Sequence, residues 1–225
     1  MGEEGKQTTK TVKNLTVIFN PHGGATKKGL SKIDVCKAVW EKKGISVEVL
    51  ETTHAGHCKE LAEEVNLDGC DALVAIGGDG TVHELCNGFL SRKEKPANTT
   101  LGFCPGGSGN SVMCDFGTWS LEEGATIIAD GKTADMDVCK VETDGDIIAS
   151  VNTIIFGLIG DIGVMAEAFR WCGPSRYENV AGIKLLCSYK QHVKMRLTGK
   201  DGKVSEKVRL GWREATAKTE PCLHT

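Results

Sequence analysis

Three glycine-rich turns, each placed where an apolar run gives way to a helical pattern, constrain the fold of this chain more than any other feature. Their sequences are NPHGG at residues 20–24, GGDGTVHE at 77–84 and PGGSGN at 105–110. Strand-like runs and segments of helical spacing alternate around them, which is typical of an open parallel sheet with helices on both faces. Ligands bind such sheets at the carboxyl ends of the strands, where these turns fall. We therefore predict an α/β lobe with its ligand site at the turns.

The order of the predicted elements indicates two lobes. Strands are predicted at about 15–19, 45–50 and 71–76, and helices at about 27–42, 55–66 and 81–90. From residue 135 shorter strand-like runs and turn signals predict the start of a β-rich, sandwich-like second lobe. The predicted boundaries are a disordered leader at 1–14, the α/β lobe at 15–134, a partial β-rich lobe at 135–208 and an atypical tail at 209–225.

Charge and hydropathy exclude two classes of function. The net charge of -3 argues against a nucleic-acid-binding protein, and lysine and arginine are spread along the chain, so no polybasic membrane patch stands out. No apolar run reaches the roughly 18–20 residues that a membrane span needs. The expected location is therefore cytoplasmic, with any membrane contact transient and confined to the surface. The sequence does not indicate an oligomeric state.

Glycine turns at strand ends favour a phosphate ligand. Glycine has no Cβ and tolerates positive φ, so backbone N–H groups can converge on phosphate oxygens. The helix that follows adds its positive N-terminal end. One such turn is more often an ordinary tight turn, but three at successive strand ends predict a polyphosphate site. The P-loop and GxGxxG patterns are both absent, so the predicted cradle differs from those two.

Asp79 lies between glycines at the end of a predicted strand. Phosphoryl transfer needs either a base for the attacking hydroxyl or an oxygen ligand for Mg²⁺, and a carboxylate at this place suits both. The structural alternative is a turn former or an N-cap of the following helix. We predict Asp79 as the catalytic residue and leave open whether it accepts a proton or organises the metal.

The three motifs resemble the nucleotide-binding motifs of the diacylglycerol kinase catalytic-domain superfamily, which includes sphingosine and ceramide kinases. The resemblance runs in order from Leu15 to Lys190. It implies ATP with Mg²⁺ as the phosphoryl donor, a membrane lipid as the acceptor and Asp79 as the catalytic base. The nucleotide-binding residues of this lobe are expected to be Asn20, Gly23, Gly24, Thr52, Gly77, Gly78, Gly80, Thr81, Glu84, Gly107, Ser108 and Gly109.

The stretch from 160 to 177 is similar to the GD…E…RWxGxxRY pattern of ceramide kinases. The resemblance implies that Arg170 and Arg176 contact ATP phosphates, and guanidinium forks suit phosphate oxygens. A solvated helix face is the alternative for these arginines. The resemblance also makes Thr153 and Asp161 the candidate lipid-binding residues.

Two departures from the family pattern bear on substrate and activity. Sphingosine kinases carry a second aspartate where this chain has Gly163. A buried ammonium without a carboxylate partner is costly, so a neutral lipid such as ceramide is favoured over a sphingoid base. Family members also continue into a completed β-rich lobe with a late acidic DGE-type motif that has no equivalent here. The resemblance therefore implies a C-terminally truncated chain.

Three functions remain open at this point. The first is an ATP-dependent kinase that phosphorylates the hydroxyl of ceramide, a sphingoid base or diacylglycerol. The second is a truncated nucleotide-binding module without catalysis, which the missing downstream sequence favours. The third is phosphorylation of a soluble substrate, as in NAD kinases, which share a GGDGT turn; the NPxGG and RWxGxxRY elements speak against it.

Overall fold

The computed structural model describes residues 7–21, 31–96, 98–143, 146–155, 158–169, 172, 175–186, 192–198 and 204–210. Two compact units divide the chain, one ending at Thr153 and the next beginning at Ile154. Among the described residues, none of the helices has the length and apolar character that a membrane crossing requires.

The elements are numbered in chain order. The strands are β1 Thr8–Thr9, β2 Asn14–Phe19, β3 Ser46–Glu51, β4 Ala72–Gly77, β5 Thr100–Pro105, β6 Lys132–Thr133, β7 Cys139–Thr143, β8 Asp146–Ser150, β9 His192–Thr198 and β10 Val204–Leu210. The helices are α1 Lys32–Lys42, α2 His57–Glu64, α3 Asp79–Ser91, α4 Ser111–Asp115, α5 Leu121–Ala129, α6 Leu158–Glu167 and α7 Arg176–Leu186.

A four-stranded parallel sheet in the order β3-β2-β4-β5 forms the centre of the first unit. Every residue of β4 is buried, because strands covered on both faces are apolar along their whole length. The chain passes from β2 outward to β3 and then returns across β2 to β4. The connections thus reverse direction between β2 and β4, and open α/β sheets bind ligands at such a switch point. The predicted parallel α/β architecture is confirmed.

Helices cover both faces of this sheet, as predicted. On one face Val17 and Val74 pack with Trp40 of α1 and with α5. The Trp40 indole N–H donates to the Ala125 carbonyl at 3.0 Å, which satisfies its polar atom inside the core. On the other face the neighbouring residues Ile18 and Leu73 pack against α2 and α3. The alternation places α1 and α5 on one side and α2 and α3 on the other.

Helix α3 contacts α2 in two places, at the N-terminus of α2 and near the middle of α2. The Glu84 carboxylate accepts a hydrogen bond from the Gly56 N–H at 3.1 Å, directly before α2. One turn further along α3, a Cβ at Gly88 would overlap the Lys59 carbonyl oxygen and lie 2.8 Å from the Ala62 Cβ. Glycine at position 88 is therefore what lets the two helices approach so closely.

Arg92 holds the other end of α2. Its guanidinium donates to the Ala62 and Val65 carbonyls at 2.8 Å each, where the end of a helix leaves carbonyls without intrahelical donors. We expect Arg92→Leu to lower the free energy of unfolding by about 1–2 kcal/mol, because these carbonyls lose their donors. Urea denaturation followed by circular dichroism measures the loss, with the exposed Lys93→Leu as control. Equal unfolding midpoints for the two variants would contradict the assignment.

A second side chain of α3 anchors the β7–β8 hairpin. The Asn87 amide donates to the Ala149 carbonyl at 2.9 Å and accepts from the Ala149 N–H at 2.8 Å. Asn87 thus pairs with β8 as a neighbouring strand would. The hairpin itself is antiparallel, and so is the short β1–β6 pair.

The second unit contains α6, α7 and an antiparallel hairpin of β9 and β10. The register of the hairpin runs from His192 opposite Leu210 to Thr198 opposite Val204. The two helices pack against each other, with Ala166 and Val180 buried. Both hairpins after residue 135 belong to the strand-rich part of the chain that the sequence predicts.

Candidate functional site

The carboxyl edge of the parallel sheet brings together residues that are far apart in sequence. Asn20 follows β2, and its N–H donates to the Ile76 carbonyl of β4 at 3.1 Å. Thr52 follows β3, and its N–H donates to the Phe19 carbonyl at 2.9 Å. These bonds continue the sheet ladder by one residue beyond the strands. Asn20 and the buried Thr52 therefore lie at the same edge as the glycine turns that end β4 and β5.

The two glycine turns pack backbone against backbone. The Gly106 N–H donates to the Gly77 carbonyl at 2.7 Å. A Cβ at Gly106 would lie 2.9 Å from the Gly77 nitrogen, and one at Gly107 would overlap the Gly78 Cα. A Cβ at Gly77 would in turn overlap the buried Thr81 side chain. Contact between the turns thus requires glycine at these positions, in addition to any contact with a ligand.

Asn110 closes the third turn. Its φ of 57° is in the left-handed region, which asparagine tolerates better than most residues. Its side chain accepts from the Gly107 N–H at 2.8 Å and donates to the Gly107 carbonyl at 3.0 Å. The amides of Gly106 and Gly107 are therefore used inside the protein. Within the described hydrogen bonds, the amides of this turn that remain for a ligand are those of Ser108, Gly109 and Asn110.

The start of α3 offers further amides. The helix begins at Asp79, two residues before the predicted start, because the extended Gly78 precedes it as N-cap. Gly78 has no side chain to cap the helix, and the first turn of a helix has no intrahelical acceptors for its N–H groups. A Cβ at Gly80 would meet no atom within 4 Å. The first turn of α3 therefore presents unpaired N–H groups to an open region, an arrangement that suits phosphate oxygens.

The Asp79 carboxylate reaches across to α4. Its Oδ1 accepts from the Val112 N–H at 3.1 Å, and the Ser111 hydroxyl lies 3.5 Å from Oδ2. Asp79 therefore supports the N-terminus of a different helix from its own. The bond to Val112 fixes the orientation of the carboxylate and leaves Oδ2 with one long contact.

Glu84 and Thr81, two of the predicted nucleotide-binding residues, make contacts within the protein. The Glu84 carboxylate is bound to the Gly56 N–H, as described above, and Thr81 is buried below the second glycine turn. A third predicted residue, Gly109, lies over Asp79, since its Cβ would be 3.1 Å from Asp79 Oδ2. Thr81 thus packs against the glycine turn, and Glu84 holds the segment before α2.

The predicted residues of the second unit have partners of their own. The Arg176 guanidinium donates to the Tyr177 hydroxyl at 2.9 Å, lies 3.6 Å from a Glu167 oxygen and stacks on the Tyr177 ring. Asp161 is in the first turn of α6. In the first unit, the Thr153 N–H and hydroxyl donate to the Asn152 side chain. The predicted residues Gly23, Gly24 and Arg170 lie outside the described residues.

Comparison with known proteins decides the family. The model of the diacylglycerol kinase catalytic domain matches residues 14–141, more than half of the chain and all of the parallel sheet. The chain belongs to this family. Sphingosine kinase 1 of Arabidopsis thaliana is 33% identical over 189 residues, which cover 80% of this chain and 39% of the relative. Human ceramide kinase is 30% identical over 208 residues, covering 82% and 37%.

A solved structure supports the fold of this diacylglycerol kinase catalytic domain. The crystal structure of a diacylglycerol kinase from Bacillus anthracis str. Sterne superposes with a TM-score of 0.58 at 21% identity. The match covers 89% of this chain and 63% of that structure. The chain spans about two fifths of the length of the two curated relatives named above.

Sequence reasoning missed one charged residue of the catalytic domain. Lys32, the first residue of α1, is buried, and its ammonium donates to the Gly106 carbonyl at 2.5 Å. Burial lowers the pKa of this lysine. Lys32 follows two other lysines in one polar stretch of the sequence, and nothing in that stretch marks Lys32 as a residue that becomes buried.

Proposed function

We propose that this chain is the catalytic part of an ATP-dependent lipid kinase. The observation that carries the proposal is the Asp79 carboxylate, held by Val112 between two packed glycine turns and beside the unpaired N–H groups of α3. A fixed carboxylate beside N–H donors is the arrangement that phosphoryl transfer needs. Relatives named as sphingosine and ceramide kinases support a lipid alcohol as the acceptor.

The nucleotide would lie along the carboxyl edge of the sheet. The first-turn amides of α3, at Asp79 to Thr81, and those of Ser108 and Gly109 are the donors proposed for its phosphates, and the open space at Gly80 leaves room for them. Asn20 and Thr52 would line the same edge. Arg170 and Arg176, which belong to the second unit, stay predicted phosphate-binding residues, because guanidinium groups suit phosphate oxygens.

Magnesium would enter with ATP. Among the described residues, no group of three or more His, Cys, Asp or Glu suits a metal ion. One carboxylate with phosphate oxygens and waters is a usual set of ligands for Mg²⁺ in kinases, and Asp79 would be that carboxylate in the alternative role in which it organises the metal instead of accepting the proton. The ion would neutralise charge on the phosphoryl oxygens.

The proposed reaction is a single displacement. The lipid hydroxyl oxygen attacks the γ-phosphorus, the bond from that phosphorus to the bridging oxygen breaks, and ADP leaves with the electron pair. The hydroxyl proton passes to Asp79. The Val112 N–H occupies Oδ1, so Oδ2 is the oxygen proposed to accept the proton. Because the acceptor is a lipid, the reaction is expected at a membrane surface.

Ceramide is the acceptor that we favour. Gly163, in α6, replaces the aspartate that would pair with the ammonium of a sphingoid base, and a Cβ at this glycine would meet no atom within 4 Å. A neutral N-acylated lipid needs no such partner.

Transfer of radiolabel from [γ-³²P]ATP tests the proposal. The purified chain is incubated with Mg²⁺ and with mixed micelles of ceramide, sphingosine or diacylglycerol. We expect label in ceramide, with less in the other two lipids. ATP binding without label in any lipid would instead support a nucleotide-binding module without catalysis. Label in a soluble acceptor alone would support the NAD kinase-like alternative.

A further inference from the structure

Lys32 places a buried positive charge against the third glycine turn. The residue is 7% exposed, and its Nζ donates to the Gly106 carbonyl at 2.5 Å. Gly106 is the residue whose N–H joins the two turns through the Gly77 carbonyl. The ammonium therefore binds the same residue through which the two turns are joined.

The charge of Lys32 has no protein counterion in the described part of the chain. The ion pairs formed there include no carboxylate bound to Lys32, and burial alone accounts for its lowered pKa. An ammonium has three donors, of which the Gly106 carbonyl takes one. Burying a cation without an anionic partner is unfavourable, so the position is better explained if an anion joins it in the functional complex.

The surroundings of Lys32 favour an anion as well. Lys32 opens α1, whose N-cap Ser31 makes no side-chain cap hydrogen bond. Lys32 is the first residue of an 11-residue helix, so its side chain departs from the positive end of that helix. Helix α1 connects β2 to β3, so its start lies at the carboxyl edge of the sheet, where Asp79 and the glycine turns also lie.

We propose that Lys32 binds the phosphoryl groups of the nucleotide. The glycine turns supply neutral N–H donors, and Lys32 would add a full positive charge to them. The ligand class is a nucleoside di- or triphosphate. This inference rests on the proposed function, because it requires that a polyphosphate occupies the turns.

The competing role for Lys32 is to hold the Gly106 turn in shape through its carbonyl. A series of ligands separates the two roles. A misshapen turn would lower the affinity for every ligand, whereas loss of a phosphate contact would lower only the affinity for phosphorylated ligands. Calorimetry with ATP, ADP and adenosine is therefore carried out on the wild type, Lys32→Met and Lys42→Met. The control residue Lys42 is exposed and lies at the other end of α1.

We expect Lys32→Met to lower the affinity for ATP and for ADP by about 10-fold to 100-fold, which is the range of a hydrogen bond to a charged group. Adenosine affinity should be unchanged in Lys32→Met, and all three affinities unchanged in Lys42→Met. The inference would be overturned if Lys32→Met lowered the affinities for ATP and adenosine equally, or lowered neither. A folded wild type that binds no nucleotide would overturn the proposed function, and the inference would fall with it.

Two further measurements need no assumption about how the variant folds. In the wild type, the pKa of the Lys32 ammonium, followed by NMR, should rise when ATP binds, because a nearby anion favours the charged form. An unchanged pKa on saturation with ATP would contradict the contact. Inorganic tripolyphosphate should compete with ATP, whereas competition only by vesicles that contain phosphatidic acid would assign Lys32 to a lipid phosphate instead.

Discussion

Asparagine in place of Asp79 is expected to reduce phosphoryl transfer by about 100-fold to 10,000-fold, the usual contribution of a general base. The substitution keeps an oxygen that accepts from the Val112 N–H, so the contact between α3 and α4 should survive. What the amide loses is the ability to accept a proton from the lipid hydroxyl. The fold and the affinity for ATP should therefore change little.

The transfer rate at saturating lipid and ATP is the measurement, with calorimetric ATP binding on the same samples. Asp115→Asn is the matched control, because Asp115 is an exposed aspartate at the end of α4. Asp79 would be ruled out as the base if Asp79→Asn kept more than one tenth of the wild-type transfer rate while Asp115→Asn behaved as the wild type. A rate restored by raised Mg²⁺ would indicate instead that Asp79 organises the metal.

Alanine in place of Gly88 is expected to lower the free energy of unfolding by about 2–3 kcal/mol, near the upper end of overpacking costs. The new Cβ would overlap the Lys59 carbonyl oxygen, which α2 holds in place, and would crowd the Ala62 Cβ. Helix α2 must then move away from α3. Alanine favours a helix over glycine by about 1 kcal/mol, which offsets only part of this cost.

Gly80→Ala provides the comparison for Gly88→Ala. The same substitution in the same helix adds a Cβ that meets no atom within 4 Å, so only the helix propensity changes. Thermal and urea unfolding without nucleotide should show Gly80→Ala as neutral or slightly stabilised. Similar stability of the two alanine variants would show that α2 and α3 are not closely packed at Gly88.

Strands β2, β3 and β4 of the main sheet could be predicted because they are short runs rich in apolar residues and followed by turn signals, whereas β5 is marked only by the glycine turn that follows it. Local patterns predict less where a helix is short or begins in an unusual way. Helix α4 has five residues, too few for a periodic pattern, and follows the left-handed Asn110. Helix α5 was missed although Ser120 and Glu123 form a capping box that is visible in the sequence.

The candidate site could be predicted in its location but not in its contacts. Parallel topology alone brings Asn20, Thr52 and Asp79 to one edge of the sheet. The bonds from Asp79 to Val112 and from Lys32 to Gly106 depend on how separate helices pack. Packing of this kind joins residues more than 30 positions apart, and no local spacing encodes it.

Contact between the two glycine turns limits which positions of the candidate site can be substituted. A Cβ at Gly77, Gly106 or Gly107 would overlap Thr81 or the main chain of the facing turn, and one at Gly78 would lie 3.1 Å from the Gly107 Cα, so randomising these four positions should cost stability. Ser108 and Gly80 are solvent-exposed, and a side chain at Gly80 has free space. Attempts to engineer acceptance of a different phosphoryl donor should therefore vary Gly80 and Ser108 and leave the four packed glycines untouched.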